Sequence, residues 1–207
     1  GIVATCIGVG TLTSLSVFLQ PVAAELGASR AGVSSVSTLG FLAMGVGGFI
    51  WGTLADRFGT RAVVLAGGVL LGVGLLAASQ ARDLTELQIA YGLVVGLAAG
   101  SSFAPLTALT SSWFERNRSL AVALVSMGLG MGTITIAPLA SVIIEAYGWR
   151  EALMTLSGLA FLIIVPGSLI LRQPPQTPPA EIPVGGSDVD MTVEQALRTP
   201  QFAAIAL

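Results

Sequence analysis

Two six-residue stretches repeat one arrangement of chemically distinct side chains: Asp56-Arg57-Phe58-Gly59-Thr60-Arg61 and Glu145-Ala146-Tyr147-Gly148-Trp149-Arg150. They align at a constant offset of 89, reading acid, any residue, aromatic, glycine, any residue, arginine. An acid that ends one helix and an arginine that opens the next can pair across a short turn. The glycine between them admits a positive φ. The chemistry on offer is ionic latching, and its candidates are Asp56, Arg57, Gly59 and Arg61 in the first copy and Glu145, Gly148 and Arg150 in the second. A second group is polar but uncharged. Thr13, Ser16 and Gln20 stand at i, i+3 and i+7, one stripe of a helix, and Ser34 and Thr38 at i, i+4. Tyr91, Ser101 and Ser102 lie upstream of Pro105 in one long apolar stretch. Such groups can hydrogen-bond a small polar solute. The competing reading is helix glue, in which each hydroxyl bonds backbone or a neighbouring helix for about 0.6 kcal/mol.

Other chemistries are excluded by residues that are missing. Without histidine there is no Ser-His or Cys-His dyad and no His-ligated metal. One cysteine, Cys6, forms no internal disulfide and no Cys cluster. Asp56, Asp83, Asp188 and Asp190 fall in loops, so an intramembrane aspartyl protease has no pair to use. A net charge of −2 lacks the dense basic face that nucleic acid requires. No enzyme, metal or cofactor is expected.

The elements that carry these residues are long and apolar. Charged residues make up 10% of the 207, against about 25% in soluble domains. The charges cluster between apolar stretches at approximately 1–24, 31–54, 62–80, 87–112, 119–144 and 151–171. Each is near the roughly 20 residues that cross a bilayer as a helix. Strands of about 9–11 alternating residues are not seen. The first stretch has no basic leader and reads as a membrane helix rather than a signal peptide. Trp51, Trp113 and Trp149 stand at span ends, where an aromatic belt is expected. Spans three and six carry few polar residues and read as outer supports facing lipid or other apolar helices. The Gly-x-x-x-Gly pairs, including Gly68/Gly72 and Gly96/Gly100, read as close-packing sites. Pro105 and Pro138 are expected to kink their helices, each releasing a backbone carbonyl.

Orientation follows from arginine. Arg57, Arg61, Arg116, Arg118, Arg172 and Arg198 fall on one side, Arg30, Arg82 and Arg150 on the other, which puts the first set in the cytoplasm. Three spans separate the two six-residue copies, so the copies lie on opposite faces. That is the layout of an inverted three-plus-three repeat, common in secondary transporters. The chain therefore reads as an all-α membrane protein. Residues 1–171 form a six-helix bundle, and 172–198 a cytoplasmic linker with a proline-rich run and a short amphipathic helix. Residues 199–207 (ending FAAIAL) read as the start of a seventh helix cut short. Nine arginines without a lysine suggest a GC-rich bacterial source, hence a bacterial cytoplasmic membrane.

Gly52-Thr53-Leu54-Ala55-Asp56-Arg57-Phe58-Gly59-Thr60-Arg61 resembles the loop 2–3 signature of the major facilitator superfamily, departing at Thr60, where a basic residue is usual. Trp113-Phe114-Glu115-Arg116-Asn117-Arg118-Ser119-Leu120-Ala121, Gly128-Leu129-Gly130-Met131-Gly132, Pro138-Leu139 and Tyr147-Gly148-Trp149-Arg150 are similar to the monocarboxylate transporter and oxalate/formate antiporter branch. The resemblance covers the N-terminal half of a twelve-helix carrier. It implies alternating access by two six-helix bundles, with Asp56 bracing the cytoplasmic gate and Gly52 serving close helix packing. It implies a small organic anion as substrate, with a proton as candidate coupling ion, and partners in the lipid bilayer and a C-terminal six-helix half. The alternative from another class is a non-transporting membrane receptor or interaction module on the same scaffold.

Overall fold

The computed structural model describes residues 2–113 and 118–170, and every element among them is helical. The first span is two helices, α1 (Ile2–Thr13) and α2 (Leu15–Leu26). The second and third spans are α3 (Arg30–Phe58) and α4 (Thr60–Ser79). The fourth is composite: a short α5 (Leu84–Leu87), a π-helical segment (Gln88–Val95) and α6 (Gly96–Trp113). The fifth and sixth are α7 (Arg118–Tyr147) and α8 (Trp149–Ile170). Among the described residues, six stretches are long and apolar enough to cross a membrane: Val3–Leu26, Ala31–Phe58, Thr60–Ser79, Leu84–Thr110, Val122–Tyr147 and Trp149–Ser168. The expected linker and seventh helix, residues 172–207, lie outside the described residues.

Pairing among the spans carries the inverted repeat. The dominant contacts join span one to span five, span two to span four, and span three to span six. Exchanging the first triplet of spans for the second leaves that pattern unchanged. Glycine makes two of these crossings intimate. A Cβ on Gly10 would stand 2.7 Å from the Gly132 Cα, and one on Gly100 would stand 2.6 Å from the Gly48 nitrogen. Backbone-to-backbone contact of this kind is how membrane helices associate without a hydrophobic driving force. Gly68 and Gly72 likewise receive Ile164 and Phe161 of span six, where a Cβ would be 2.5 Å from either side chain. Spans three and six therefore face one another through much of their length. Gly52 has open space where its Cβ would stand, so the close packing implied for it is not made within the described residues.

Coverage is uneven. Span four has 67% of its most apolar window buried, but spans two and five only 28% and 22%. Phe41, Phe49, Met127, Ile134 and Val142 stand on those two helices and are exposed. The buried centre holds Leu12, Phe18, Leu71, Leu75, Tyr91, Leu153, Leu156 and Ile164. Pro105 and Pro138 lie inside helices that run on past them. Two further irregularities, at Ser14 in span one and in the π-helical segment of span four, hold no proline.

Candidate functional site

The two repeated turns share a backbone. Gly59 adopts φ 85° and Gly148 φ 95°, a region that L side chains avoid. The Gly59 N–H donates to the Ala55 carbonyl at 2.9 Å, and its own carbonyl accepts from Val63 N–H at 3.4 Å. The Gly148 N–H donates to Ile144 at 2.9 Å, and its carbonyl accepts from Ala152 at 3.2 Å. Every partner is displaced by the offset of 89. One glycine thus closes one helix and opens the next without an intervening loop.

Side chains around the turns differ. Asp56 and Arg57 are carried in the last turn of α3, which extends to Phe58 and beyond the expected end at 54. Asp56, Arg57 and Arg61 are all exposed, and no ion pair joins them to any described residue. The expected pairing across the turn is not made. In the second copy it is not made either: Glu145 is exposed, and Arg150 binds Glu25 at the end of span one. Glu25 Oε1 accepts from Arg150 Nη2 at 3.0 Å and Nε at 3.1 Å, while Oε2 accepts from Trp149 Nε1 at 2.6 Å. Arg150 Nη1 donates to the Ser79 carbonyl at 3.0 Å, and the guanidinium lies 4.5 Å from the Trp149 ring centroid. The correction has a physical cause. Glu25 offers a whole carboxylate to a fork already oriented by stacking, whereas Glu145 points outward from the preceding helix. Trp149 is 2% exposed, so its indole serves this cluster and not an interfacial belt. The cluster ties the ends of spans one and three to the start of span six, three points that strict alternation places on one membrane side.

The uncharged candidates divide into two groups. Ser16, Gln20, Ser34 and Thr38 are exposed and Thr13 is half-buried. Thr13 Oγ1 lies 3.2 Å from Thr133 Oγ1, and Cys6 Sγ lies 3.5 Å from Thr135 Oγ1, joining spans one and five. Thr135 commits its proton to the Met131 carbonyl at 2.7 Å, and Thr13 commits its own to Gly10 at 3.0 Å. A hydroxyl has one proton. Thr133 is then the donor to Thr13, which leaves Ser16, whose backbone bond is 3.5 Å, and the Gln20 amide as the donors this stripe offers a solute. Thr133 and Thr135 were not among the expected residues, although two hydroxyls beside Gly128–Gly132 in an apolar span were a visible signal.

Tyr91, Ser101 and Ser102 belong to the second group. They are 0%, 0% and 1% exposed, inside the bundle and off the open face. Ser101 donates to Ala98, Tyr91 to Thr11, and the Ser102 carbonyl accepts from Thr5. The reason is the close fit of span four among spans one, two and three, which leaves no wet side near these residues. An open groove of about 680 Å³ beside Arg82 and Glu86 holds none of the candidates; the Glu86 carboxylate there accepts from the backbone N–H of Arg82 at 2.8 Å.

The chain is also similar in sequence to known proteins. Monocarboxylate transporter 13 of Bos taurus is 34% identical over 161 residues, covering 78% of this chain and 38% of that protein. Monocarboxylate transporter 11 of Mus musculus is 33% identical over 185 residues, covering 85% and 41%. Monocarboxylate transporter 1 of Rattus norvegicus is 32% identical over 163 residues, covering 79% and 33%. The chain thus spans well under half the length of these relatives. The model of the Major Facilitator Superfamily matches residues 1–207. Matched from end to end, and folded as two interlocked helix triplets, this integral membrane chain belongs to the Major Facilitator Superfamily.

Proposed function

We propose that the complete protein carries a small organic anion of the monocarboxylate class across a membrane by alternating access, with this bundle as one of two rocking halves. The observation that carries the reading is the row of Thr13, Ser16, Gln20 and Thr133 on an open face bordered by the two least covered spans. A polar row on helices this apolar is costly beside lipid, so it belongs against a water-filled path. The names of the relatives supply the solute class. Among the described residues no acidic or basic side chain stands mid-span. The cation that recognises a carboxylate, and the acid that would couple a proton, are assigned to the other half. The protein works as a carrier and not as an enzyme.

Asp56 is assigned to the cytoplasmic gate, where its exposed carboxylate meets a helix N-terminus of the second half, an arrangement favoured by the macrodipole. The arginine-only composition points to a bacterial cytoplasmic membrane, although the relatives compared are mammalian. Uptake of a radiolabelled short-chain monocarboxylate by the full-length protein in liposomes tests the reading. Saturable uptake, with none by residues 1–207 alone, is the expected result. Transport of a neutral sugar or an amine that monocarboxylates do not compete for would overturn it.

A further inference from the structure

Span one is interrupted in its middle without help from proline. Ser14 N–H still reaches the Gly10 carbonyl at 2.9 Å, but Val17 N–H closes a tighter turn onto the Ser14 carbonyl at 3.0 Å. Hydroxyls crowd the same stretch. Thr11 Oγ1 donates to Ile7 at 2.7 Å, Thr13 Oγ1 to Gly10 at 3.0 Å and Ser14 Oγ to the Thr11 carbonyl at 2.8 Å. Back-bonding of this kind bends helices. The Thr11 carbonyl accepts a second bond from the Tyr91 hydroxyl, whose ring is fully buried. Tyr91 itself stands within the π-helical segment Gln88–Val95 of span four. That segment is anchored to span two by Gln88 Nε2 donating to Ser35 Oγ at 2.8 Å. Single π turns inside helices frequently mark functional positions.

We infer that Tyr91 is a positioning residue: its hydroxyl holds the break in span one through the Thr11 carbonyl, and so sets where Ser16 and Gln20 stand on the open face. The two irregular segments form one unit, because the wide turn of span four delivers the phenol to the carbonyl that the break leaves open to side chains. Thr13 precedes the break and Ser16 and Gln20 follow it, so a change in the break moves the two ends of the stripe relative to each other. The inference rests on the transport reading for its consequence, and on geometry alone for the coupling.

The test uses the full-length protein with Cys6→Ala, any cysteine outside these 207 residues replaced likewise, and a single reporter cysteine, Ser16→Cys or, on span two, Ser34→Cys. Labelling by a membrane-impermeant thiol reagent is timed with Tyr91 and with Tyr91→Phe, which keeps the ring and removes the hydroxyl. The expected result is a change of about fivefold at position 16, the equilibrium weight of one such hydrogen bond, with position 34 unchanged. Monocarboxylate KM should shift while the thermal midpoint stays near that of the parent. Equal rates at position 16 would overturn the inference and leave Tyr91 as packing. Should Tyr91→Phe fail to accumulate, Ser14→Ala removes the other hydroxyl on the same carbonyl. It is expected to shift position 16 in the same direction, and an unchanged rate there is equally fatal. A shift at position 16 in a protein that transports no monocarboxylate upholds the coupling and rejects the transport reading.

Discussion

The turn at Gly59 and the turn at Gly148 are one backbone device in two surroundings. Hydrogen bonds and positive φ repeat at the offset of 89, yet one turn presents three exposed charges and the other is bound into its own bundle. Around Gly148, Arg150 and Trp149 converge on Glu25, and Arg150 also reaches the carbonyl of Ser79. Around Gly59, Asp56, Arg57 and Arg61 meet no ionic partner among the described residues. Local geometry is thus set by glycine and inherited by both copies, while partnership depends on what stands opposite. One end of the bundle is fastened to itself. The other carries three exposed charges with no ionic partner among the described residues.

The sharpest way to break this comparison is Glu25→Ala. It strands the buried Trp149 N–H and takes the carboxylate from Arg150, and a loss of about 2 kcal/mol is expected, most of it from the indole because solvent screens the half-exposed ion pair. Thermal unfolding in detergent reads it, and a midpoint unchanged from the parent would mean that the cluster fastens nothing. Next come Gly59→Ala and Gly148→Ala. Each forces a Cβ into a left-handed region for about 1–2 kcal/mol, and the two losses should match. Tolerance at one turn and not the other would show that the backbone equivalence is superficial. Asp56→Asn comes third in stability, within about 0.5 kcal/mol as an exposed change. Initial uptake by the full-length protein should nevertheless fall severalfold, and undiminished uptake at equal expression would remove Asp56 from the gate. Smallest is Glu145→Gln, the formal counterpart of Asp56, expected to alter stability by no more than about 0.5 kcal/mol and to leave uptake as it was. Loss of uptake there would contradict the asymmetry.

Much of this molecule was legible before any coordinates. Span lengths follow from the bilayer, so a run such as 62–80 needs only counting, and the helix found is Thr60–Ser79. Both turn glycines were legible for a similar reason, since a turn that brief tolerates no other residue. The partner of Arg150 was not. Glu145 lies five positions away and Glu25 far more distant, and proximity along the chain says nothing about which carboxylate a stacked guanidinium meets. Exposure of the candidate path residues was legible only in part. Ser16 and Gln20 stand on the open face as their spacing implied, but Tyr91, Ser101 and Ser102 are interior. A soluble helix announces its buried side by its apolar stripe. A membrane helix is apolar all round, so periodicity cannot separate the side facing lipid from the side facing protein.

By itself the sequence determined six membrane helices, their alternation across the bilayer, the two glycine turns and their relation by inversion. These depend on hydropathy, chain length and local φ, quantities that each segment carries alone. Only the tertiary structure decided that Arg150 binds Glu25, that the Thr13 stripe continues onto Thr133, and that Tyr91 caps a break in span one. Each of those depends on which backbones approach closely enough to cross at glycine, and that is a property of pairs of helices rather than of any one segment.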